Sequence, residues 1–119
     1  MSWDLSPDGT QIAVAGSTQL KERVRILNLK DHSQRDVILA KDFGLLSVNW
    51  SSDGRSLYGA GQKGMEQFFL IRLELSGDFK LLATKPIAYY QVVLPSPDGK
   101  YAAYMEQTVE SNVYVLENF

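Results

Sequence analysis

The residues of this chain with the greatest potential for chemistry are one histidine and three aspartates at equal spacing. His32 is the only histidine among 119 residues, and the chain contains no cysteine. Asp8, Asp53 and Asp98 each precede a glycine and recur every 45 residues. A histidine can serve as a general base, and clustered carboxylates can bind a cation. Either chemistry requires that the fold bring several such groups together.

His32 lies in a polar segment, residues 30–34, between two predicted strands. Catalysis by a histidine requires a nucleophile and an acid that converge on it, and no motif of that kind accompanies His32. We therefore expect an exposed structural residue and a chain that is not an enzyme by itself. Zinc sites are built mainly from cysteine and histidine, so one histidine without cysteine predicts no metal site and no cofactor.

Each of the three aspartates belongs to a tetrapeptide that predicts a tight turn. The copies are Ser6-Pro7-Asp8-Gly9, Ser51-Ser52-Asp53-Gly54 and Ser96-Pro97-Asp98-Gly99. Proline suits the second position of a turn, aspartate caps it with its side chain, and glycine accepts the left-handed backbone. Because whole repeats separate the carboxylates, we expect a structural role in the turns for Asp8, Gly9, Asp53, Gly54, Asp98 and Gly99.

The turns divide the chain into three copies of a pattern that predicts β-strands. Before each turn, apolar residues two positions apart share one strand face, at 3 and 5, 48 and 50, and 93 and 95. Second strands, rich in small residues that allow close packing of sheets, are predicted at 12–16, 57–61 and 102–106. Third strands are predicted at 24–29, 68–73 and 113–117. Fourth strands are predicted near 35–39 and 79–83, which gives eleven strands and no substantial helix.

A period of roughly 40 to 50 residues built on hairpin turns favours the four-stranded blades of a β-propeller. We predict an all-β fold with blade one at residues 1–45, blade two at 46–90 and blade three at 91–119. Blade three lacks its outer strand, because the sequence ends before one could form. The prediction is a single, partial β-propeller domain.

Two segments that carry the repeat resemble the WD-like repeats of TolB-type β-propellers. They read Trp50-Ser51-Ser52-Asp53-Gly54-Arg55-Ser56-Leu57-Tyr58 and Ser96-Pro97-Asp98-Gly99-Lys100-Tyr101-Ala102-Ala103-Tyr104. The segment 111–117 is also similar to the C-termini of propeller sensor modules in large bacterial regulators. The resemblance covers nearly the whole chain. It implies a noncatalytic interaction or ligand-sensing module that belongs to a larger bacterial protein.

An alternative function stays open at this point. Propellers of the tricorn type and of the dipeptidyl-peptidase type have a similar architecture and gate or support a catalytic site. The chain could therefore be an accessory domain of a hydrolase or lyase, and the fold alone does not decide between the two.

Three blades are too few to close a propeller, which uses roughly four to eight. Two blade faces stay open, and soluble monomers rarely expose apolar areas of that size. Two copies related by a twofold axis would make six blades, so that we expect a homodimer. Missing blades in a longer parent protein are the alternative.

Candidate binding residues come from the aromatic and polar residues of the third copy. Tyr89 and Tyr90 precede the predicted inner strand of blade three, and Glu106 begins a polar loop. Tyrosine supplies the amphipathic contact area that is typical of binding surfaces. We expect these residues to contact a protein or a small-molecule ligand.

The composition narrows the range of partners. Twelve lysines and arginines against fourteen acidic residues give a net charge of −2, without the basic excess that nucleic-acid binding needs. No segment approaches the roughly 18 apolar residues of a membrane span, and residues 1–4 lack the features of a secretory signal. We expect a soluble chain without membrane insertion. The lack of cysteine is compatible with both reducing and oxidising compartments.

Overall fold

The computed structural model describes residues 1–16, 22–39, 43–63, 67–85, 89–107 and 111–117. Within these residues the chain forms eleven strands. They are β1 (Ser2–Leu5), β2 (Gln11–Ala15), β3 (Arg23–Asn28), β4 (Gln34–Ile38), β5 (Phe43–Trp50), β6 (Ser56–Lys63), β7 (Gln67–Glu74), β8 (Phe79–Lys85), β9 (Tyr89–Pro95), β10 (Tyr101–Gln107) and β11 (Ser111–Glu117). No helix in the described part of the chain is long and apolar enough to cross a membrane.

The strands form three antiparallel sheets in which neighbours along the chain are neighbours in space. The first sheet has the order β1-β2-β3-β4, the second β5-β6-β7-β8 and the third β9-β10-β11. The predicted all-β fold of three blade-like sheets is confirmed, and we call the sheets blades one, two and three. β5 begins at Phe43 and β9 at Tyr89, so both strands start ahead of the residues, 46 and 91, at which the sequence was divided into blades.

The alternation of side chains along each strand gives every blade two different faces. In β2, Ala13 and Ala15 are fully buried, whereas Ile12 and Val14 are only partly buried. The buried alanines face blade two, and the other two residues face away from it. We call the face that each blade turns towards the next blade its leading face, and the opposite face its trailing face.

The larger core lies between the leading face of blade one and the trailing face of blade two. Blade one contributes small and β-branched residues, and blade two contributes larger ones, among them Phe69 and Trp50. The ring centroids of Phe69 and Phe43 lie 4.7 Å apart, in the edge-to-face arrangement that aromatic pairs favour. The members are Ala13, Ala15, Val24, Ile26, Val37, Leu39, Leu45, Val48, Trp50, Leu57, Phe69, Ile71 and Leu73.

A smaller core joins the leading face of blade two to the trailing face of blade three. Its buried members are Tyr58, Ala60, Leu70 and Ala102, with Phe68, Leu82, Tyr104 and Leu116 packed around them. Blade two is therefore covered on both faces, whereas blades one and three each pack on one neighbour.

Small residues on the second strands serve two kinds of close contact. At the end of β2, a Cβ on Gly16 would lie 3.2 Å from the carbonyl oxygen of Leu46, so this glycine does let blades one and two approach closely, as predicted. In β6, a Cβ on Gly61 would collide with the carbonyl oxygen of Gly44, which lies in the same blade. Gly61 pairs with Leu45, directly beside a β-bulge in β5. Here the small residue accommodates the bulge and not the neighbouring blade.

A candidate binding cleft at the turn end of the blades

The first Asp-Gly turn is held by a compact set of hydrogen bonds. The amide of Gly9 donates to the carbonyl oxygen of Ser6 at 2.9 Å, and Gly9 has a φ of 74°. The carboxylate of Asp8 accepts a bond from the Ser6 hydroxyl at 2.7 Å and from the Thr10 amide at 3.0 Å. The Ser6 hydroxyl oxygen in turn accepts from the amide of Gln11 at 3.0 Å. The serine, aspartate and glycine of the repeat each have a distinct role in closing the turn.

The second and third turns repeat this geometry. The serine hydroxyls donate to the carboxylates of Asp53 and Asp98 at 2.6 Å in both cases. The amide two residues after each aspartate donates to the same carboxylate at 3.0 Å. Gly54 and Gly99 have φ angles of 71° and 74°, in the left-handed region that only glycine adopts easily. The structure thus places all six of these aspartates and glycines in equivalent turns.

The hydrogen bonds also fix the ionisation of the turn carboxylates. The hydroxyl of Thr10, and then that of Ser6, lowers the pKa of Asp8 below its usual range. The hydroxyl of Ser51 lowers the pKa of Asp53 in the same way, and that of Ser96 lowers the pKa of Asp98. Bonds to the charged form favour that form, so these are ionised groups that stabilise their own turns and not proton donors near neutral pH.

Neighbouring turns also contact one another. A Cβ on Gly54 would lie 3.7 Å from Cδ of Pro7 in the preceding turn. A Cβ on Gly99 would lie 3.1 Å from the hydroxyl oxygen of Ser52. The second residue of each turn therefore packs against the glycine of the next turn, and the turns form a row along one end of the blades, which we call the turn end.

The inner strands of blades one and two are joined by a polar clamp. The backbone amide of Trp50 donates to the carboxylate of Asp4 at 2.8 Å, and its indole Nε1 donates to the carbonyl oxygen of Asp4 at 3.0 Å. The hydroxyl of Ser2 accepts a bond from the amide of Val48 at 3.2 Å. Sequence analysis missed this role of Asp4. The available signal was a carboxylate between two large apolar residues, Trp3 and Leu5, on an inner strand.

The inner strands and the turns enclose a cleft at the turn end. Its volume is about 280 Å³, just below the roughly 300–1,000 Å³ that is typical of ligand pockets. The lining residues combine apolar side chains and proline rings with hydroxyl and amide groups. They are Asp4, Leu5, Pro7, Asn49, Trp50, Ser51, Ser52, Leu94, Pro95, Ser96 and Pro97. All three blades contribute to this turn-end cleft, and for that reason we take it as the candidate ligand-binding site.

The predicted binding residues lie at the other end of blade three. Tyr89 is the first residue of β9 and pairs with Gln107. Tyr90 follows it in the same strand and pairs with Glu106 of β10. The prediction that the tyrosines precede the inner strand and that Glu106 begins a loop is therefore wrong, because both strands extend further from the turn than the sequence pattern indicated. Residues 108–110, the rest of the predicted loop, lie outside the described residues.

His32 lies in the turn between β3 and β4. It is exposed, its φ is 62°, and its amide donates to the carbonyl oxygen of Asn28 at 3.0 Å. Among the described residues, no three histidine, aspartate or glutamate side chains come together as a metal site would require. The histidine is thus placed in a left-handed turn position on the surface, apart from the turn-end cleft.

Three consecutive meander sheets that pack face to face, with their first strands grouped at one side, define a partial β-propeller. Solved structures agree with this class. A TolB-like protein of Agrobacterium tumefaciens matches 98% of this chain with a TM-score of 0.80 and 14% identity, and the match covers 45% of that protein. A chain of the nidogen–laminin complex matches 98% with a TM-score of 0.77 and 8% identity, over 43% of its length. Hydrazine synthase of Kuenenia stuttgartiensis matches 97% with a TM-score of 0.71 and 21% identity, over 38% of its length.

These similarities concern the fold. The chain therefore has a β-propeller fold, as the repeat pattern predicted, and spans less than half of each of these structures. No protein-family model matches the sequence, and no curated protein is significantly similar to it.

Proposed function

We propose that this chain is a noncatalytic β-propeller module that recognises a protein or small-molecule ligand at the turn-end cleft, as part of a larger bacterial protein. The observation that carries the proposal is the cleft itself, to which all three blades contribute turn and inner-strand residues. Pockets of ligand-binding proteins combine an apolar lining with a few polar groups in the same way.

The distribution of ionisable groups supports a noncatalytic role. The three turn carboxylates accept hydrogen bonds from their own turns, and their lowered pKa values make them poor proton donors. His32 lies outside the cleft on an exposed turn. General acid–base catalysis requires a group of suitable pKa within hydrogen-bond reach of a bound substrate.

The alternative function is an accessory propeller that gates or supports a hydrolase or lyase site. One specific observation favours it: a structure similar to this chain belongs to an enzyme, the hydrazine synthase of Kuenenia stuttgartiensis. Under this alternative the chain would hold or shield a catalytic domain of its parent protein and would contribute no reacting group.

Self-association is the second part of the proposal. Blades one and three each pack on one neighbour only, and two copies would complete six blades, a normal propeller size. Light scattering of the purified chain should give twice the monomer mass of 13.4 kDa. A stable monomer at micromolar concentration would rule out this part of the proposal.

The ligand-binding part can be tested with a displayed library of random peptides. Peptides selected on the unmodified chain should lose binding to Ser52→Arg, which adds a large cation to the lining of the cleft. The matched control is Ser76→Arg, an identical substitution in the exposed turn between β7 and β8. Equal binding of the selected peptides to both variants would place the binding surface elsewhere. Hydrolase activity of the chain alone, lost in His32→Ala, would overturn the noncatalytic role.

A further inference from the structure

The two faces that lack a neighbouring blade carry much of the exposed apolar surface. On the leading face of blade three, Leu94 is 53% exposed and Val115 is 62% exposed, and both flank Ala103 in one cross-strand row. On the trailing face of blade one, Trp3 is 62% exposed and Ile38 is 61% exposed. The row on blade three is contiguous, whereas Trp3 and Ile38 lie on opposite edge strands of blade one with the ion-paired Arg25 and Asp36 between them. Contiguous exposed apolar patches mark interaction sites.

The interface between blades one and two shows which kind of surface is complementary to these two faces. There, a leading face meets a trailing face, and Val48 and Trp50 of the trailing face are buried. In the repeat, Trp3 and Leu5 occupy the positions of Val48 and Trp50. The open trailing face of blade one therefore corresponds to the trailing face of blade two, which is buried. The open leading face of blade three corresponds to the leading face of blade one, which covers that buried face.

The turns show the same correspondence between neighbouring blades. Pro7 packs near Gly54, and Ser52 packs near Gly99. Pro97 holds the same position in the third turn. Gly9 has no atom of the described residues within 4 Å of the Cβ position. The two ends of the row are thus an unmatched proline and an unmatched glycine.

A cavity on the open face of blade three corresponds to one that lies between blades one and two. Between blades one and two, Gln11 and Gly54 line a cavity of about 170 Å³, and each comes from a different blade. Tyr101 holds the position of Gln11 in the third repeat and lines a cavity of about 460 Å³ whose described lining residues come from blade three.

We propose that a second copy of this chain docks head-to-tail, with the leading face of blade three of each copy on the trailing face of blade one of the other. This inference rests on the proposed self-association and specifies its geometry. The two interfaces are identical, and they close a ring of six blades. In this ring Pro97 of each copy lies against Gly9 of the other.

The head-to-tail interface differs from the internal one in two respects. On the trailing face of blade one, the ion-paired Arg25 and Asp36 lie in the cross-strand row that in blade two holds the buried Ile71. The second difference concerns the clamp. The position of Asp4 is taken by Leu94, and that of Trp50 by Leu5. The polar clamp between Asp4 and Trp50 is therefore replaced by an apolar contact between Leu94 of one copy and Leu5 of the other. This difference accounts for two exposed leucines at inner-strand positions in the isolated chain.

The absence of cysteine permits a direct cross-linking test. Two single-cysteine variants, Leu5→Cys and Leu94→Cys, are prepared separately, mixed, allowed to exchange subunits and oxidised. A disulfide requires Cα atoms within about 7 Å. In the proposed interface Leu94 and Leu5 hold the positions of Asp4 and Trp50, which hydrogen-bond directly at 2.8 and 3.0 Å, so the two cysteines should meet. The mixture should give a cross-linked dimer on a nonreducing gel, and each variant alone should stay uncross-linked.

Other outcomes separate the geometry from the association. If light scattering gives a dimer and Leu5→Cys cross-links to itself, two trailing faces meet. That result overturns the head-to-tail arrangement but leaves self-association in place. A dimer without any cross-link in the mixture also overturns this arrangement. A monomer of the unmodified chain overturns both self-association and its geometry.

A substitution on the open face provides a second measurement. Trp3→Glu should weaken the dimer about 30-fold or more, the effect of losing an interfacial aromatic anchor. The matched control is Leu81→Glu, because Leu81 is an exposed apolar residue on the outermost strand of blade two, away from both open faces. Circular dichroism checks that both variants are folded. Equal dimer affinity of the two folded variants would contradict the proposed interface.

Discussion

Replacing Gly54 with valine tests whether the left-handed turn position determines the stability of the blades. Gly54 has a φ of 71° and closes the second turn through its amide. The nearest atom to a Cβ at this position is Cδ of Pro7, at an ordinary contact distance of 3.7 Å. Steric collision with the neighbouring turn is therefore a minor term, and backbone strain is the major one.

The expected magnitude follows from the conformation alone. A left-handed backbone costs a residue with a Cβ about 1–2 kcal/mol, and β-branched residues are at the upper end of the range. Gly54→Val should therefore lower the free energy of unfolding by about 2 kcal/mol. For a domain of this length each kcal/mol corresponds to roughly 4 °C in Tm, so a decrease of about 8 °C is expected.

The matched control is Gly44→Val. Gly44 lies in β5, its backbone is not left-handed, and a Cβ there meets no described atom within 4 Å. Valine is favourable in strands, so this variant should melt at the temperature of the unmodified chain or above it. Both variants are compared by thermal unfolding at one protein concentration. If Gly54→Val and Gly44→Val melt alike, the turn glycine does not have the role assigned to it.

Three further predictions concern a charge, the core and the surface histidine. Asp53→Asn should be destabilising at neutral pH and should have almost no effect on stability in strong acid. The folded state lowers the pKa of this carboxyl from 3.8, so its contribution to stability is lost as the pH falls through the pKa of the folded state. Urea unfolding at the two pH values measures the effect, and an equal loss of stability at both would contradict the prediction. Phe69→Ala removes a ring from the larger core and should cost about 3–5 kcal/mol, whereas the exposed Leu81→Ala should cost less than about 1 kcal/mol in the same urea titration. His32→Gly should raise the stability by roughly 0.5–1 kcal/mol, because His32 has a φ of 62°, and an unchanged Tm would show that this turn is not strained.

The parts of the fold that depend on neighbouring residues could be predicted from the sequence. A serine, an aspartate and a glycine in four consecutive positions determine each turn, and their hydrogen bonds span at most five positions. Strands were located from alternation and β-branched residues for the same reason. Their lengths were less accurate, since β6 extends two residues beyond Gly61 and β10 begins at Tyr101.

The candidate site depends on distant residues, and most of it could not be predicted. The clamp joins Asp4 to Trp50, which are 46 positions apart and share no local pattern. The cleft exists only because three turns stand side by side. Tyr89 and Tyr90 were judged by residue type, but their place in the sheet follows from the pairing of β9 with β10, which extends beyond the apolar core of the repeat.

The sheet order has a consequence for how the chain acquires its structure. Each strand pairs with the next one along the sequence, so all the sheet hydrogen bonds of a blade can form within that blade. The hydrogen bonds between blades one and two connect residues 46 positions apart, and they stabilise the chain only after both sheets have formed. Folding should therefore proceed from the amino terminus in blade-sized steps as the chain leaves the ribosome, with each new meander completing on the surface of its predecessor.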